Sequence, residues 1–117
     1  MKKPDMRDVT EKVLNISTAH IPERTAQALG TGTEFTSTDS AFHACLVADL
    51  WDKISYTPWA VYGWIIWAGH DVDEIKGEHP ELARLMQFAV EYGYTYLKLD
   101  CDAEQLPESL GFPTFEW

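Results

Sequence analysis

The sequence predicts a single small α+β domain, in which a four-stranded mixed sheet carries two helices on one face. The length of 117 residues suits one domain, and the apolar fraction of 45% supplies a hydrophobic core. Segments of strand-like and helix-like periodicity follow one another in the order β-α-β-β-α-β. We assign residues 11–117 to this domain and expect the polar residues 1–10 to be a flexible N-terminus.

The first strand and the first helix precede Gly30. Leu14 and Ile16 alternate with polar residues over positions 12–17, which predicts a short strand. Pro22 suits the first turn of a helix, because the N–H that proline lacks has no intrahelical partner there. Gly30 readily adopts the left-handed conformation that ends a helix. We therefore expect a short helix between these two residues.

The middle of the chain allows two interpretations. Over residues 41–54 the spacing of Ala and Leu suits a helix, whereas alternate apolar residues near 45–51 also suit a strand. Tyr56-Thr57-Pro58 is predicted to be a turn. Residues 59–67 carry aromatic and β-branched side chains at both odd and even positions. A strand of this kind is either covered on both faces or leaves one face for a partner.

The second helix and the last strand follow an acidic, turn-like segment. Pro80 opens the helix, an apolar stripe runs along it at helical spacing, and Gly93 ends it. Residues 94–99 then predict a strand with Leu97 and Leu99 facing the core. We expect the middle two strands to form a hairpin and both helical connections to be right-handed crossovers.

The balance of charged residues argues against some classes of function. Nine Lys and Arg against 19 Asp and Glu give a formal charge of −10. This balance argues against a protein that binds nucleic acid by neutralising phosphates, and against a polybasic membrane-surface protein. The longest strongly apolar run, residues 59–68, is about half of a membrane span, and no signal-peptide pattern is present. We expect a cytoplasmic protein that binds neither nucleic acid nor membranes directly.

Cysteine usage agrees with a reducing compartment. Cys45 and Cys101 are too few for a disulfide framework, and both are expected to be buried thiols. A disulfide between them is the alternative.

One candidate site lies between the first strand and the first helix. Ser17, Thr18 and His20 stand where backbone N–H groups at a helix start can bind an anion. The same residue types shape turns by bonding to nearby backbone, and a helix start needs such residues in any case. The turn-shaping role is therefore favoured over the anion-binding one.

Carboxylates form a second candidate site at the end of the last strand. Asp100, Asp102 and Glu104 together with His20 present oxygen and nitrogen ligands suited to a hard cation such as Mg²⁺, although a solvated acidic loop is favoured. The sequence lacks the spacings typical of zinc sites and of nucleotide-binding loops. We expect no metal and no cofactor, and we assign no catalytic residue. A second loose group contains His70, Asp71, Asp73, Glu74 and His79.

The high number of aromatic residues is the most informative feature of the composition. Five Trp and five Tyr occur in the chain. Large rings fill the cores of small domains, and they also dominate the hot spots of protein interfaces. An exposed second face of the sheet would hold some of the tryptophans Trp59, Trp64 and Trp67.

Two segments are distinctive, Asn15-Ile-Ser-Thr-Ala-His-Ile-Pro-Glu23 and the C-terminal Pro113-Thr-Phe-Glu-Trp117. Together with other segments between them, they resemble a family of small proteins of unknown function carried on bacterial plasmids, integrative elements and phages. The similarity spans about residues 13–117. The resemblance implies a strand at 45–51 and an origin on a mobile genetic element, where genes often serve host takeover or evasion of host defence.

Charge, aromatic excess and resemblance together predict a non-enzymatic protein that binds a basic protein partner. A nucleic-acid-handling or defence complex would be such a partner, as for an anti-CRISPR protein or a nuclease inhibitor. The alternatives are a small metal-dependent enzyme that uses Asp100 and Asp102, and a homodimeric structural module. The residues predicted to contact the partner are Trp59, Trp64, Trp67, Asp71, Asp73, Glu74, Asp100, Asp102 and Glu104.

Overall fold

The computed structural model describes residues 12–30, 45, 48–59 and 63–116, and the predicted flexible segment 1–10 lies outside them. Within this part the elements follow the order β-α-β-β-α-β, which confirms the predicted α+β class. The strands and α-helices are β1 (Val13–Ser17), α1 (Glu23–Leu29), β2 (Tyr56–Trp59), β3 (Gly63–Trp67), α2 (Pro80–Glu91) and β4 (Tyr96–Asp100), with short 3₁₀ helices at Thr18–His20 and Glu108–Leu110.

The four strands form one mixed sheet in the order β1-β4-β3-β2. β1 pairs with β4 in parallel, whereas β4 with β3 and β3 with β2 are antiparallel. The two middle strands form a hairpin, as predicted, but not between the segments predicted for it, 45–51 and 59–67. The prediction of a second crossover is wrong, because α2 joins strands that are antiparallel neighbours and a crossover joins parallel ones.

The second strand is not where the sequence placed it. Cys45 has helical backbone and residues 48–53 form turns, so the predicted strand over 45–51 is wrong; positions 46–47 lie outside the described residues. The strand is formed by Tyr56–Trp59, which was predicted to begin as a turn. Pro58 suggested that turn, but β2 is an edge strand, where a missing N–H costs no ladder hydrogen bond.

The predicted long strand over residues 59–67 is divided between the two arms of the hairpin. Trp59 ends β2, Gly63 begins β3, and the two residues are paired across the ladder. Sequence periodicity alone misses this reversal, because aromatic and β-branched residues occur on both sides of it.

One face of the sheet and both helices form the core. In every strand alternate residues face the core and are buried or half-buried; the buried ones include Ile16, Ile66, Leu97 and Leu99. The predicted inward orientation of Leu97 and Leu99 is confirmed. Both helices pack on this face, so the predicted arrangement of two helices on one side is confirmed. They contribute Ala26, Ala28 and Leu29 from α1 and Leu82, Ala83, Leu85 and Met86 from α2.

The helix ends follow the sequence signals. Pro80 occupies the first turn of α2, and Pro22 precedes α1 as its N-cap residue. Gly30 takes a left-handed conformation with φ of 105°, and its N–H bonds to carbonyls of α1. In the described part of the chain, neither helix is long and apolar enough to cross a membrane.

Candidate functional site

The second face of the sheet is open within the described part of the chain. Its side chains come from the strand positions that alternate with the core residues, and most are exposed or half-buried. The two largest are Trp59, which is 41% exposed, and Trp67, which is 44% exposed. We call this surface the open face. Its members are Val13, Asn15 and Ser17 of β1, Tyr96, Lys98 and Asp100 of β4, Gly63, Ile65 and Trp67 of β3, and Thr57 and Trp59 of β2.

Trp64 does not belong to the open face. It is only 4% exposed, and its indole N–H donates to the sulfur of buried Cys45. Successive side chains of a strand point to opposite faces of the sheet, so Trp64 points into the core, whereas Ile65 and Trp67 point to the open face. Its prediction as a partner-contacting residue is therefore corrected, whereas Trp59 and Trp67 are placed on one surface.

At one end of the open face Trp67 and Tyr96 are directly opposite each other. A shallow depression of about 410 Å³ lies beside them, lined by Ser55, Tyr56, Thr57, Ile65, Trp67 and Tyr96. The His70 ring packs against Trp67 in a T-shaped arrangement, with 5.9 Å between the ring centroids. We call this the Trp67 end. The side chains that line its depression carry no formal charge.

The loop after β3 carries three of the predicted carboxylates, and two of them, Asp71 and Asp73, line a depression with Gln87, Val90 and Glu91 of α2. Asp71, Asp73 and Glu74 are exposed. The Asp71 carboxylate accepts the N–H of Asp73 at 2.9 Å, which stabilises the turn. Lys76 donates to the Asp73 carboxylate at 3.0 Å in an exposed ion pair.

At the opposite end of the open face, Trp59 is paired with Gly63, and Gly63 is paired with Asp100. The Nζ atom of Lys98 lies 3.8 Å from the centroid of the Trp59 ring and 3.9 Å from the carboxylate of Asp100. We call this the Trp59 end. Its cation, its ring and its carboxylate are already paired with one another.

The two acidic loops leave from opposite ends of the sheet. β3 and β4 are antiparallel, so the loop that follows Trp67 and the loop that follows Asp100 are separated by the length of a strand, about 13 Å. The predicted carboxylates therefore do not form one continuous patch. Such a patch is what whole-surface mimicry of a nucleic acid requires.

The loop after β4 contains the tightest group of ligand-type atoms in the described residues. Oxygen or sulfur atoms of Asp100, Cys101 and Asp102 lie within 4.8 Å of one another. The Asp100 carboxylate also accepts the N–H of Asp102 at 2.9 Å, as expected of an ordinary turn. His20, the candidate nitrogen ligand of the less favoured metal interpretation, is not part of the group.

His20 instead holds the C-terminal segment. It is 2% exposed, its Nε2 accepts the N–H of Leu106 at 2.8 Å, and its Nδ1 lies 3.0 Å from the carbonyl oxygen of Pro113. Since a carbonyl only accepts, Nδ1 carries the proton and donates it to Pro113. Both ring nitrogens are thus used in structural hydrogen bonds.

The predicted anion-binding residues are engaged in the same local structure. The Ser17 hydroxyl accepts the N–H of Ala19 at 3.1 Å, and the carbonyl of Thr18 accepts the N–H of Ile21. These bonds, with those of His20, favour the turn-shaping role.

Sequence reasoning missed a buried pair of polar side chains between the two helices. Nδ1 of His79 lies 2.9 Å from the hydroxyl of Thr25, which is fully buried. Burial is the main cause that holds the pKa of His79 below its usual value; the carboxylate of Glu78 opposes this shift. No periodicity marks such a pair, because its members are 54 residues apart in sequence.

Tyr96 and Lys98 of the open face were also missed, although a signal existed. They are the alternate positions to Leu97 and Leu99, which were predicted to face inward, so they had to lie on the other face.

The cysteines differ from expectation in one respect. Both are free, but only Cys45 is buried, and burial raises its pKa to about 11, whereas Cys101 is exposed in the turn after β4.

In a comparison with protein-family models, residues 13–117 match the C-terminal domain of a family of unknown function, DUF5983. The chain belongs to this family. The matched region begins at the first residue of β1 and includes every described strand and helix, so the open face is part of the DUF5983 C-terminal domain. No curated protein and no solved structure matches significantly.

Proposed function

We propose that this domain is an acidic, non-enzymatic binding protein whose open face engages a basic protein partner. The observation that supports this function is the position of Trp59 and Trp67 on a sheet face left open in the described part of the chain. Half-exposed Trp and Tyr side chains are typical anchors of protein interfaces. A soluble domain gains nothing in stability from such exposure, whereas binding removes the apolar surface from water.

Charge supports the choice of a basic partner. The formal charge of −10 accelerates encounter with a surface rich in Lys and Arg and slows encounter with an acidic one. The two acidic loops leave from opposite ends of the strands that form the open face. We propose that their carboxylates contribute to a polar rim of the interface.

The resemblance found in the sequence leads to a more specific proposal. A gene carried on a plasmid, integrative element or phage meets the host's nucleic-acid-handling and defence machinery in the cytoplasm. Such complexes expose basic surfaces because they bind nucleic acids. We propose a partner of this class, bound in the manner of an anti-CRISPR protein or nuclease inhibitor, without direct contact to nucleic acid or membrane.

The test compares photo-crosslinking from the open face and from a matched control position. A benzoylphenylalanine at Thr57, which is exposed in the middle of β2, is compared with one at Tyr92, which is 60% exposed beyond the end of α2. In lysate of a bacterial host, we expect Thr57→benzoylphenylalanine to capture a basic protein that the Tyr92 variant does not. Capture should fall as NaCl rises, because steering between opposite charges is screened. Equal capture from both positions, or a product that is indifferent to salt, would contradict the proposal.

The group at Asp100, Cys101 and Asp102 is the specific observation behind the alternative of a metal-dependent enzyme. A resident Mg²⁺ or Mn²⁺ would raise the melting temperature, because the folded state alone would hold it. An increase in melting temperature that Asp102→Asn abolishes would support the alternative, and an unchanged melting temperature would exclude it.

Light scattering at high protein concentration tests the second alternative, the homodimeric module. A monomer under these conditions would exclude it.

A further inference from the structure

We infer that Lys98 is a positioning residue of the open face, because its ammonium, held by the carboxylate of Asp100, fixes the Trp59 ring in the orientation that the domain presents to its partner. This inference rests on the proposed function and names the residue that prepares one of the two tryptophan anchors for binding. Lys98 itself is assigned no contact with the partner.

Lys98 is covered to an extent that is unusual for a lysine on an open sheet face. Its side chain is 19% exposed, and that of Asp100 is 15% exposed. Its ammonium lies 3.8 Å from the centroid of the Trp59 ring and 3.9 Å from the Asp100 carboxylate. The first distance suits a cation–π interaction. Lysine side chains usually keep the ammonium in water, so the two contacts hold this one in a defined place.

Strand pairing fixes the backbone of Lys98 more firmly than that of Trp59. Lys98 and Asp100 belong to β4, which has a partner strand on each side, whereas Trp59 is the last residue of the edge strand β2. Gly63, the residue of β3 between Trp59 and Asp100, has no side chain that could hold the ring. Lys98 therefore supplies the contact that the ring lacks from β3.

A ring that is ordered before binding favours a tight complex. An exposed tryptophan without such a contact exchanges among side-chain rotamers on a timescale of ps–ns. Its ordering on binding costs conformational entropy and weakens the complex. Since the Lys98 contact orders the Trp59 ring in the free domain, this cost is not incurred when the partner binds.

The same arrangement suits a basic partner. Among the members of the open face in the described part of the chain, Lys98 is the one cation. An exposed cation there would repel a surface rich in Lys and Arg. Instead, the Trp59 ring covers the ammonium, and the Asp100 carboxylate balances its charge. The partner therefore meets an uncharged ring at this end of the face.

The first test measures the order of the ring in the free domain by ¹⁵N relaxation of the indole N–H groups. We expect an order parameter of about 0.85 for Trp59 in the unmodified domain and below about 0.6 in Lys98→Met, which keeps most of the stem and loses the charge. Lys98→Arg should restore the order, because a guanidinium also stacks on an aromatic ring. Trp67, whose ring neighbour is His70, is the internal control and should not change.

The second test measures the effect on binding, with the crosslinker at Thr57. Lys98→Met makes the domain more acidic, so electrostatic steering alone would raise its capture of a basic partner. We expect capture to fall by about threefold to tenfold instead, since the Trp59 ring must then be ordered on binding. Lys98→Arg should keep full capture. In the Trp59→Leu background, Lys98→Met should lower capture no further, because Lys98 acts through the ring.

Four results would overturn the inference. They are equal order of the Trp59 indole in the unmodified domain and in Lys98→Met, no rescue by Lys98→Arg, unchanged capture by Lys98→Met, and an equal loss of capture in the Trp59→Leu background. If Lys98→Met does not fold, Asp100→Asn replaces it, because the amide oxygen still accepts the N–H of Asp102 while the ammonium loses its charged partner.

The two tests separate failure of the inference from failure of the proposed function. The relaxation measurement uses the domain alone, so equal ring order refutes the positioning role of Lys98 whether or not a partner is captured. Capture of no basic protein from Thr57 refutes the proposed function and leaves the measured order of the ring in place.

Discussion

The ammonium of Lys98 lies over the indole ring of Trp59, although β4 and β2 are not neighbours in the sheet. The intervening strand β3 contributes Gly63 between Trp59 and Asp100 in the same row. Since glycine has no side chain, no side chain of β3 separates the Trp59 ring from β4 in this row. The contact connects the edge of the hairpin to the strand that pairs with β1.

The Lys98–Trp59 contact should be measurable as a coupling energy. We expect a double-mutant cycle of Lys98→Met and Trp59→Leu to give a coupling of about 0.5–1 kcal/mol in the free energy of unfolding, measured with urea. Lys98→Met keeps most of the stem and removes the charge, so the cycle isolates the cation. Additive effects of the two substitutions would show that the contact contributes nothing.

Gly63 should not tolerate any side chain. A Cβ at this position would overlap the backbone carbonyl of Leu99 on the neighbouring strand, and backbone cannot move aside without breaking the ladder. We expect Gly63→Ala to cost about 3 kcal/mol of stability, the upper end of the usual range for overpacking, measured by urea unfolding. Gly77→Ala is the matched control, because nothing lies within 4 Å of the added methyl group and the substitution should be neutral or slightly stabilising. Equal stability of the two variants would contradict the close approach of the strands.

Removal of the His20 imidazole should release the C-terminal segment. His20→Ala leaves the N–H of Leu106 and the carbonyl of Pro113 without their buried partner, which should cost about 2–4 kcal/mol. A glutamate-specific protease should then cut at Glu104 and Glu108 faster than in the unmodified domain. The control is His70→Ala, which removes a half-buried ring that bonds only to the carbonyl of the adjacent Asp71 and should cost less stability than His20→Ala. Unchanged proteolysis in His20→Ala would show that the segment is held by other contacts.

His79 should make the domain less stable in mild acid. Burial favours its neutral form and lowers its pKa in the folded state below the unfolded value of 6.5, so the unfolded chain binds the proton more readily. This stabilising contribution is complete above pH 6.5 and is lost as the pH falls toward the lowered folded pKa.

The measurement for His79 compares urea midpoints at pH 7.5 and 5.5. We expect the midpoint of the unmodified domain to fall more than that of His79→Asn, in which the amide still reaches Thr25 and no proton is taken up. Parallel pH dependence of the two proteins would show that His79 does not contribute.

The sequence was sufficient to predict features that depend on neighbours along the chain. The alternation of Leu97 and Leu99 predicted both β4 and its buried face, and Pro80 marked the start of α2. The prediction placed Trp64 on the wrong face of the sheet. Which residues of a strand face the core depends on where the strand begins, and the chain reversal between Trp59 and Gly63 concealed the start of β3.

Local sequence patterns could not predict features that depend on the order of the strands in the sheet. Only the antiparallel pairing of β3 with β4 separates the two acidic loops. Only the packed fold shows that His20, a candidate ligand by residue type, is bonded to backbone groups of the C-terminal segment. The aromatic excess predicted an exposed surface, but the difference between its two ends depends on Lys98, whose partner Trp59 is distant in sequence.

The pairing of β1 with β4 has a consequence for folding during synthesis. β1 is an edge strand whose ladder partner is β4, and His20 and Pro113 are 93 residues apart in the chain. During translation at about 5–20 residues per second, β1 leaves the ribosome on the order of 10 seconds before its partner exists. Throughout that interval the nascent chain exposes Leu14 and Ile16 without the strand that later pairs with theirs.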